Sequence, residues 1–271
     1  MAPDDLQLKL QAANYLAGQD LATAAWLALR LDKPLLLEGP PGCGKTALAK
    51  ALAQALGRRL IRLQCFEGIE FAQAVCDWQH ARQLVALQAA PEQERAALAE
   101  RLFTREFLSP RPLLQALEAG RDAVLLIDEI DRADPPFEAF LLELLGEWQL
   151  SIPELGTLQA PQGAPLVLLT SNRSRELSDA LRRRCLYHWL EQPTATQEQA
   201  ILRLHLPGLS ERLAAQVVEH VQQLRQDPLL EHRPGLAETL DWARALQALQ
   251  VQGWPDAPPA ATLGLLRKQP A

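Results

Sequence analysis

The sequence predicts an α/β protein: a parallel five-stranded sheet with helices on both faces, followed by a small all-α domain. Two observations lead there. Short apolar runs alternate with helical patterns through residues 1–192, the order that builds a parallel sheet. From Pro193 and Thr194 onward the pattern is helical, which sets residues 193–271 apart as a second unit.

The elements follow in order. Residues 1–30 read as helix around a break at Gly18, with Leu21, Ala25, Trp26 and Leu29 at helical spacing. Leu35 to Leu37 is the first buried strand, and Thr46 to Leu56 is a helix stopped by Gly57. Leu60 to Leu63 is the second strand. The interval 64–122 is too long for a simple crossover and holds an insertion. Three helical patterns fall in it: Phe71 to Leu87, Glu92 to Leu102, and Leu113 to Glu118 ending at Gly120. The insertion reads equally as a moving or partner-binding element and as an enlarged helical layer. Ala123 to Ile127 is a fully apolar strand, and Phe137 to Trp148 a helix with one apolar stripe. Residues 148–159 alternate around Pro153-Glu154-Leu155-Gly156, a hairpin pattern. Leu166 to Leu169 and Leu186 to Leu190 are the remaining strands, with a short helix from Ser178 to Arg184 between them. Three helices then follow, Gln197 to Leu206, Glu211 to Leu224 and Leu236 to Leu249, with Thr196 and Ser210 as candidate N-caps.

The chain of 271 residues is 48% hydrophobic and 22% charged, in the range of water-soluble globular proteins. No apolar run approaches membrane-spanning length and residues 1–10 hold no signal-peptide core, so a cytoplasmic protein is expected. The net charge of −6 argues against non-specific nucleic-acid binding, which needs a basic surface. Cys43, Cys65, Cys76 and Cys185 show neither zinc spacing nor a disulfide framework.

The chemistry centres on residues 35–49. Gly39, Gly44, Lys45 and Thr46 fit the spacing G-x-x-x-x-G-K-[ST] of a phosphate loop, with an apolar strand before it and a helix after it. Glycines let the backbone curl until several N–H groups aim at one anion, and the helix adds the positive end of its dipole. The candidate nucleotide-binding residues are Pro41, Gly42, Cys43, Gly44, Lys45, Thr46 and Ala47, with Lys45 reaching the β and γ phosphates and the Thr46 hydroxyl a ligand for Mg²⁺. Asp128 and Glu129 end the third strand. Asp128 is the second candidate for Mg²⁺, directly or through water, and Glu129 the candidate to orient and deprotonate an attacking water. Asn172 ends the fourth strand, where it suits a hydrogen bond to that water or to the γ phosphate; strand-end asparagines are also common turn residues. Arg182, Arg183 and Arg184 suit either charge neutralisation on a neighbouring subunit's phosphoryl group or the plain preference of a helix C-terminus for cations.

This constellation resembles the AAA+ ATPases, and within them the MoxR family, over nearly the whole chain. Gly39 to Thr46 is similar to the Walker A motif, Val124 to Glu129 to Walker B, and Thr170-Ser171-Asn172 to sensor 1. Leu177 to Cys185 resembles the segment bearing the family's arginine finger, and Gly18-Gln19 the N-terminal element beside the adenine. Ile61 to Cys65, Asp128 to Asp134, Ile152 to Thr157, Leu181 to Leu190 and Glu238 to Ala243 resemble more closely the CoxD-like branch found in carbon monoxide dehydrogenase gene clusters. The resemblance implies an AAA+ P-loop NTPase core in 1–192, with the insertion and hairpin typical of that clade, and a helical lid in 193–271. It further implies a ring, usually of six subunits, with ATP and Mg²⁺ between neighbours and Arg183 or Arg184 as the finger. The implied partners are a protein client, a metalloenzyme to be matured, and a protein with a von Willebrand factor A domain. One departure stands out: the position of the family's sensor 2 arginine is Ala237, beside Glu238, and Arg233 is out of register.

Two other functions share parts of this pattern. A small-molecule P-loop kinase would explain a mobile helical lid, but not the Asp128-Glu129 pair together with Asn172 and the arginine triplet. A nucleic-acid remodelling motor would share the insertion, but the acidic balance disfavours it. A GTPase is disfavoured by the lack of an N-K-x-D motif, and a non-catalytic scaffold by Glu129.

Overall fold

The computed structural model describes residues 1–161, 163–228, 230 and 232–266. The first half runs α1 (Pro3–Ala12), α2 (Gln19–Leu31), β1 (Leu35–Glu38), α3 (Lys45–Leu56), β2 (Arg59–Gln64), α4 (Phe71–Ala74), β3 (Cys76–Trp78), α5 (His80–Ala89), α6 (Arg95–Arg101), β4 (Leu108–Pro110) and α7 (Pro112–Ala119). The second runs β5 (Ala123–Asp128), α8 (Pro135–Glu147), β6 (Gln149–Ile152), β7 (Gly156–Gln159), β8 (Leu166–Ser171), α9 (Asp179–Arg184), β9 (Leu186–Trp189), α10 (Ala195–His205), α11 (Glu211–Gln226) and α12 (Leu236–Ala248).

Five strands form one sheet in the order β2-β5-β8-β1-β9, every neighbouring pair parallel. The predicted fold class is the observed one. Successive side chains of a strand point to opposite faces, and the central strands show it. Leu125, Ile127, Val167 and Leu169 pack with α7, α8 and α9, whereas Val124, Leu126, Leu166 and Leu168 pack with α1, α2 and α3. β5 and β8 are buried along their whole length, as strands covered on both faces must be. A third apolar cluster, built around the fully buried Trp242, joins α10, α11 and α12. Residues 267–271 of the predicted second unit lie outside the described residues.

Two local expectations are corrected. The helix expected from Phe71 to Leu87 is broken: Cys76–Trp78 leaves it as β3 and pairs antiparallel with β4, Cys76 opposite Pro110. Burial of Val75 and Cys76 against the core, with Arg111 N donating to Val75 O at 2.8 Å, outweighs the helical spacing. The N-cap of α10 is Thr194, whose hydroxyl accepts from Gln197 N, and Thr196 lies inside the helix. Ser210 caps α11 as expected. The hairpin is β6 with β7, Ile152 opposite Gly156.

Candidate functional site

All five sheet strands point the same way, so the C-terminal tips of β1, β5 and β8 share one edge, where open α/β sheets bind ligands. Glu38 pairs with Ser171 and Gln64 with Asp128, which sets the depth of each tip. The turn after β1 is shaped by its glycines. A Cβ on Gly39 would run into the Leu190 carbonyl oxygen, while Gly42 and Gly44 adopt φ of 74° and 100°, the left-handed region that favours glycine. Gly44 is the N-cap of α3, so Lys45, Thr46 and Ala47 form its first turn and their amides lack helical partners. The buried Lys45 folds back over the turn, its Nζ donating to Gly39 O at 2.7 Å and Pro40 O at 2.9 Å, 3.7 Å from Cys43 Sγ. Burial pushes the Cys43 thiol up despite the neighbouring ammonium.

Across from the turn, Asp128 is 3% exposed and fully engaged. Its Oδ1 accepts from Thr170 Oγ1 at 2.6 Å and Thr46 Oγ1 at 3.1 Å; its Oδ2 accepts from Arg62 Nε at 2.9 Å and lies 2.7 Å from Arg62 Nη2. Thr170 accepts in turn from Glu129 N at 2.9 Å, tying β8 to the end of β5. Glu129 has φ 55° and ψ 50°, a left-handed conformation uncommon outside glycine and found at functional turns. Its carboxylate is one-third exposed and pairs with Arg132 Nε at 3.1 Å.

Asn172 is placed by a buried carboxylate. Asp131 accepts from Asn172 N at 3.2 Å, Ser174 N at 2.8 Å and Ser174 Oγ at 2.6 Å. Burial works against its charge, but the Ser174 hydroxyl and the Ser174 and Asn172 amides outweigh it, so its carboxyl sits below the ordinary range. Nearby, burial and the charges of Asp128 and Asp131 drive the Cys65 thiol up to about 12, which keeps it protonated.

Residues beyond β9 also meet the turn. Leu236 N, at the start of α12, donates to Gly42 O at 2.9 Å, and Gln192 Nε2 to Pro41 O at 2.9 Å. Ala237 lies in the first turn of α12, and Glu238 Oε2 accepts from Gly235 N at 3.1 Å. The segment before α12 is fixed by Arg225, which donates to Pro234 O at 2.7 Å and forms a two-nitrogen ion pair with the fully buried Glu198.

Pro41 to Ala47, Asp128, Glu129 and Asn172 therefore come together. Arg183 and Arg184 do not join them. Leu186 pairs with Leu35 and its amide donates to Pro34 O, so the C-terminus of α9 stands at the opposite end of β1 from Gly39. There Arg183 and Arg184 line a cleft with Asp32, Lys33, Pro34 and Gly146. Gly18 caps α2, and a Cβ on it would meet nothing within 4 Å; on this side Tyr15 approaches the turn, 3.7 Å from a Cβ on Gly44. No role follows from the sequence for Arg62, Asp131, Tyr15 or Gly235, and Thr170 figures there only as part of the stretch similar to sensor 1. The legible trace for Arg62 is the alternation of Arg62 and Gln64 with Ile61 and Leu63, on the strand beside Asp128.

The Thr46 hydroxyl and the Asp128 carboxylate are hard oxygen donors 3.1 to 3.2 Å apart beside a turn built for anions, a donor set that fits a magnesium ion. Residues 35–190 match the family model AAA, ATPase family associated with various cellular activities. Among curated proteins the chain is similar to the peroxisomal Lon protease homolog 2 of Pichia angusta, 30% identical over 72% of this chain and 20% of that protein. It is similar also to the gas vesicle ATPase GvpN2 of Halobacterium salinarum, 26% identical over 74% of this chain and 58% of that protein. The chain thus spans a fifth of one relative and somewhat over half of the other. Among solved structures, the RuvB Holliday junction branch migration motor of Thermotoga maritima superposes with a TM-score of 0.50 at 17% identity, over 98% of this chain and 70% of that one. That is a likeness of fold.

Proposed function

Since this chain belongs to the AAA family of ATPases, we propose that it binds ATP with Mg²⁺ at the seam between neighbouring subunits of a ring, and hydrolyses it to remodel a protein client. The observation that carries the reading is the split of the candidate site residues between the two ends of β1. Lys45, Thr46, Asp128, Glu129 and Asn172 stand at one end, and Arg183 and Arg184 at the other.

In this reading the backbone of Pro41 to Ala47 cradles the phosphates and Lys45 leaves the Gly39 and Pro40 carbonyls for the γ phosphate. Thr46 and Asp128 hold the Mg²⁺, which when bound offsets phosphate charge. Glu129 turns from Arg132 to orient a water and accept its proton, and Asn172 fixes that water or the γ phosphate. Arg183 or Arg184 of one subunit then neutralises charge on the phosphoryl group held by the next. Gly18 and Gln19 flank the adenine. Residues 1–192 act as the core, with the segment 64–122 and the hairpin 148–159 turned toward the client, and residues 193–271 act as the lid.

The finer assignment is to the MoxR type, supported by the likeness to the gas vesicle ATPase and by the residue stretches that resemble the CoxD-like branch. It brings a hexameric ring in the cytoplasm, a partner with a von Willebrand factor A domain and a metalloenzyme client. No helix among the described residues is long and apolar enough to cross a membrane. The test is to measure mass and ATP turnover together across protein concentration. Turnover should rise with assembly; a lone subunit that splits ATP briskly overturns the reading.

A further inference from the structure

The carboxylate proposed to hold the metal already holds a cation of the chain's own. Arg62 lies on β2, the edge strand, two residues before the tip. Its side chain runs toward Asp128, presenting both Nε and Nη2 to Oδ2 at 2.9 and 2.7 Å. Gln64 Oε1 accepts from the same guanidinium and steadies it. The contact is uneven: Asp128 is 4% exposed in its side chain, Arg62 49%. The carboxylate is fixed by Thr46 and Thr170, whereas the arginine has open solvent on one side and can leave.

A magnesium ion sits about 2.0–2.1 Å from its oxygen ligands, so one held by Thr46 and by Asp128 through Oδ2 would stand within roughly 5 Å of this guanidinium. Two cations at that spacing repel, and they compete for the same lone pairs. We propose that Arg62 is a positioning residue that stands in for the divalent cation on Asp128 and yields when metal and nucleotide enter, so that it sets the affinity of the site for metal. With the metal absent, it keeps a nearly buried carboxylate neutralised and aimed at Thr46, a pairing such a group needs. With the metal present, the same charge lowers affinity and keeps the ion exchangeable. The proposal rests on reading Gly39 to Thr46 as a nucleotide site.

The test uses the full chain with a non-hydrolysable ATP analogue, whose binding is measured by a fluorescent derivative. Mn²⁺ is titrated in, and free Mn²⁺ is read by electron paramagnetic resonance. Arg62→Gln should bind Mn²⁺ about five- to tenfold more tightly than wild type, the scale of removing one nearby positive charge. Arg62→Lys should fall between them, since lysine keeps the charge but loses the planar fork. This order also serves if the glutamine variant does not fold. Equal or weaker Mn²⁺ binding in the variants, with the analogue still bound by wild type, overturns this proposal alone. Wild type that binds no analogue overturns the nucleotide site as well.

Discussion

The backbones of Gly42 and Gly235 are in direct contact. A Cβ built on either would lie 2.7 Å from the other's Cα, and the next amide, Leu236 N, donates to Gly42 O. Where the MoxR resemblance leads one to expect an arginine reaching from α12 to the nucleotide, this chain has Ala237 and a glycine pressed onto the phosphate turn.

Gly235→Ala isolates that contact. Gly235 is extended, with φ −86° and ψ −176°, so alanine suits its backbone; the hard clash falls on the Gly42 backbone, and the other near neighbour, Glu238 Oε2 at 3.1 Å, is the end of a flexible side chain. The backbone of Gly42 cannot turn aside as a flexible side chain would. The variant should lose about 1–3 kcal/mol of stability, the usual cost of overpacking. It should also weaken ATP binding several-fold as α12 lifts from the turn. Urea denaturation and fluorescent-nucleotide titration read the two effects; wild-type values in both would show that α12 does not bear on the turn through Gly235.

Asp131 offers a pH signature. Its carboxyl sits below the ordinary range in the fold, so it stabilises the protein above the unfolded carboxylate pKa, and that contribution is lost as pH falls through its own value. Asp131→Asn should therefore cost about 1–3 kcal/mol near neutrality, the scale of removing a buried charged hydrogen-bond acceptor. The gap from wild type should close in acid. A gap independent of pH would assign the loss to packing rather than to the charge that holds Asn172 and Ser174.

The sheet and the phosphate turn were readable because their signals are local. Short apolar runs such as Leu35 to Leu37, Ala123 to Ile127 and Leu166 to Leu169 mark buried strands, and Gly39 to Thr46 carries its own spacing. The β3–β4 ribbon was hidden because Cys76 and Pro110 meet across 34 residues, and three-residue strands leave no alternation to count. For the same reason the set Arg62, Thr46, Asp128 and Thr170 was only half visible. Each residue lies on a different element, and only the register of β2, β5 and β8 brings them to one point. Gly235 showed no motif either, since its role is to lack a side chain where another backbone passes.

Lys45→Ala removes the ammonium that caps the Gly39 and Pro40 carbonyls and, on the proposed reading, grips the γ phosphate. ATP affinity should fall by at least about tenfold, the scale of one charge-assisted contact to phosphate. Far-UV circular dichroism should be unchanged, because α3 keeps its remaining packing. Retained tight binding would refute the turn as the phosphate site.

Glu129→Gln keeps the shape of the side chain and removes its basicity. The left-handed backbone at this position depends on the Thr170 hydroxyl accepting from its amide, which the substitution leaves alone. ATP should bind as before while turnover falls about 10²- to 10⁴-fold, the contribution of a positioned general base. Single-turnover assays with labelled ATP separate the two; unchanged turnover would take the role of base away from Glu129.

The arginine pair gives the strictest test of a shared site. Ser178, at the start of α9, donates its amide to the buried Glu138 at 2.9 Å, and Arg175 pairs with that carboxylate as well, so α9 is anchored firmly to α8. Arg183 and Arg184 thus project from a fixed helix end beside Pro34, a strand's length from their own chain's Gly39. Neither serves that site without the sheet coming apart, so Arg183→Ala or Arg184→Ala should spare ATP binding and silence hydrolysis. Each such subunit still carries an intact Glu129, and each Glu129→Gln subunit still carries intact arginines. Mixed rings therefore form some seams with both halves whole, and turnover should return, highest near equal proportions. Silence at every ratio, in rings shown by mass to be mixed, would mean that the arginines do not act across the seam.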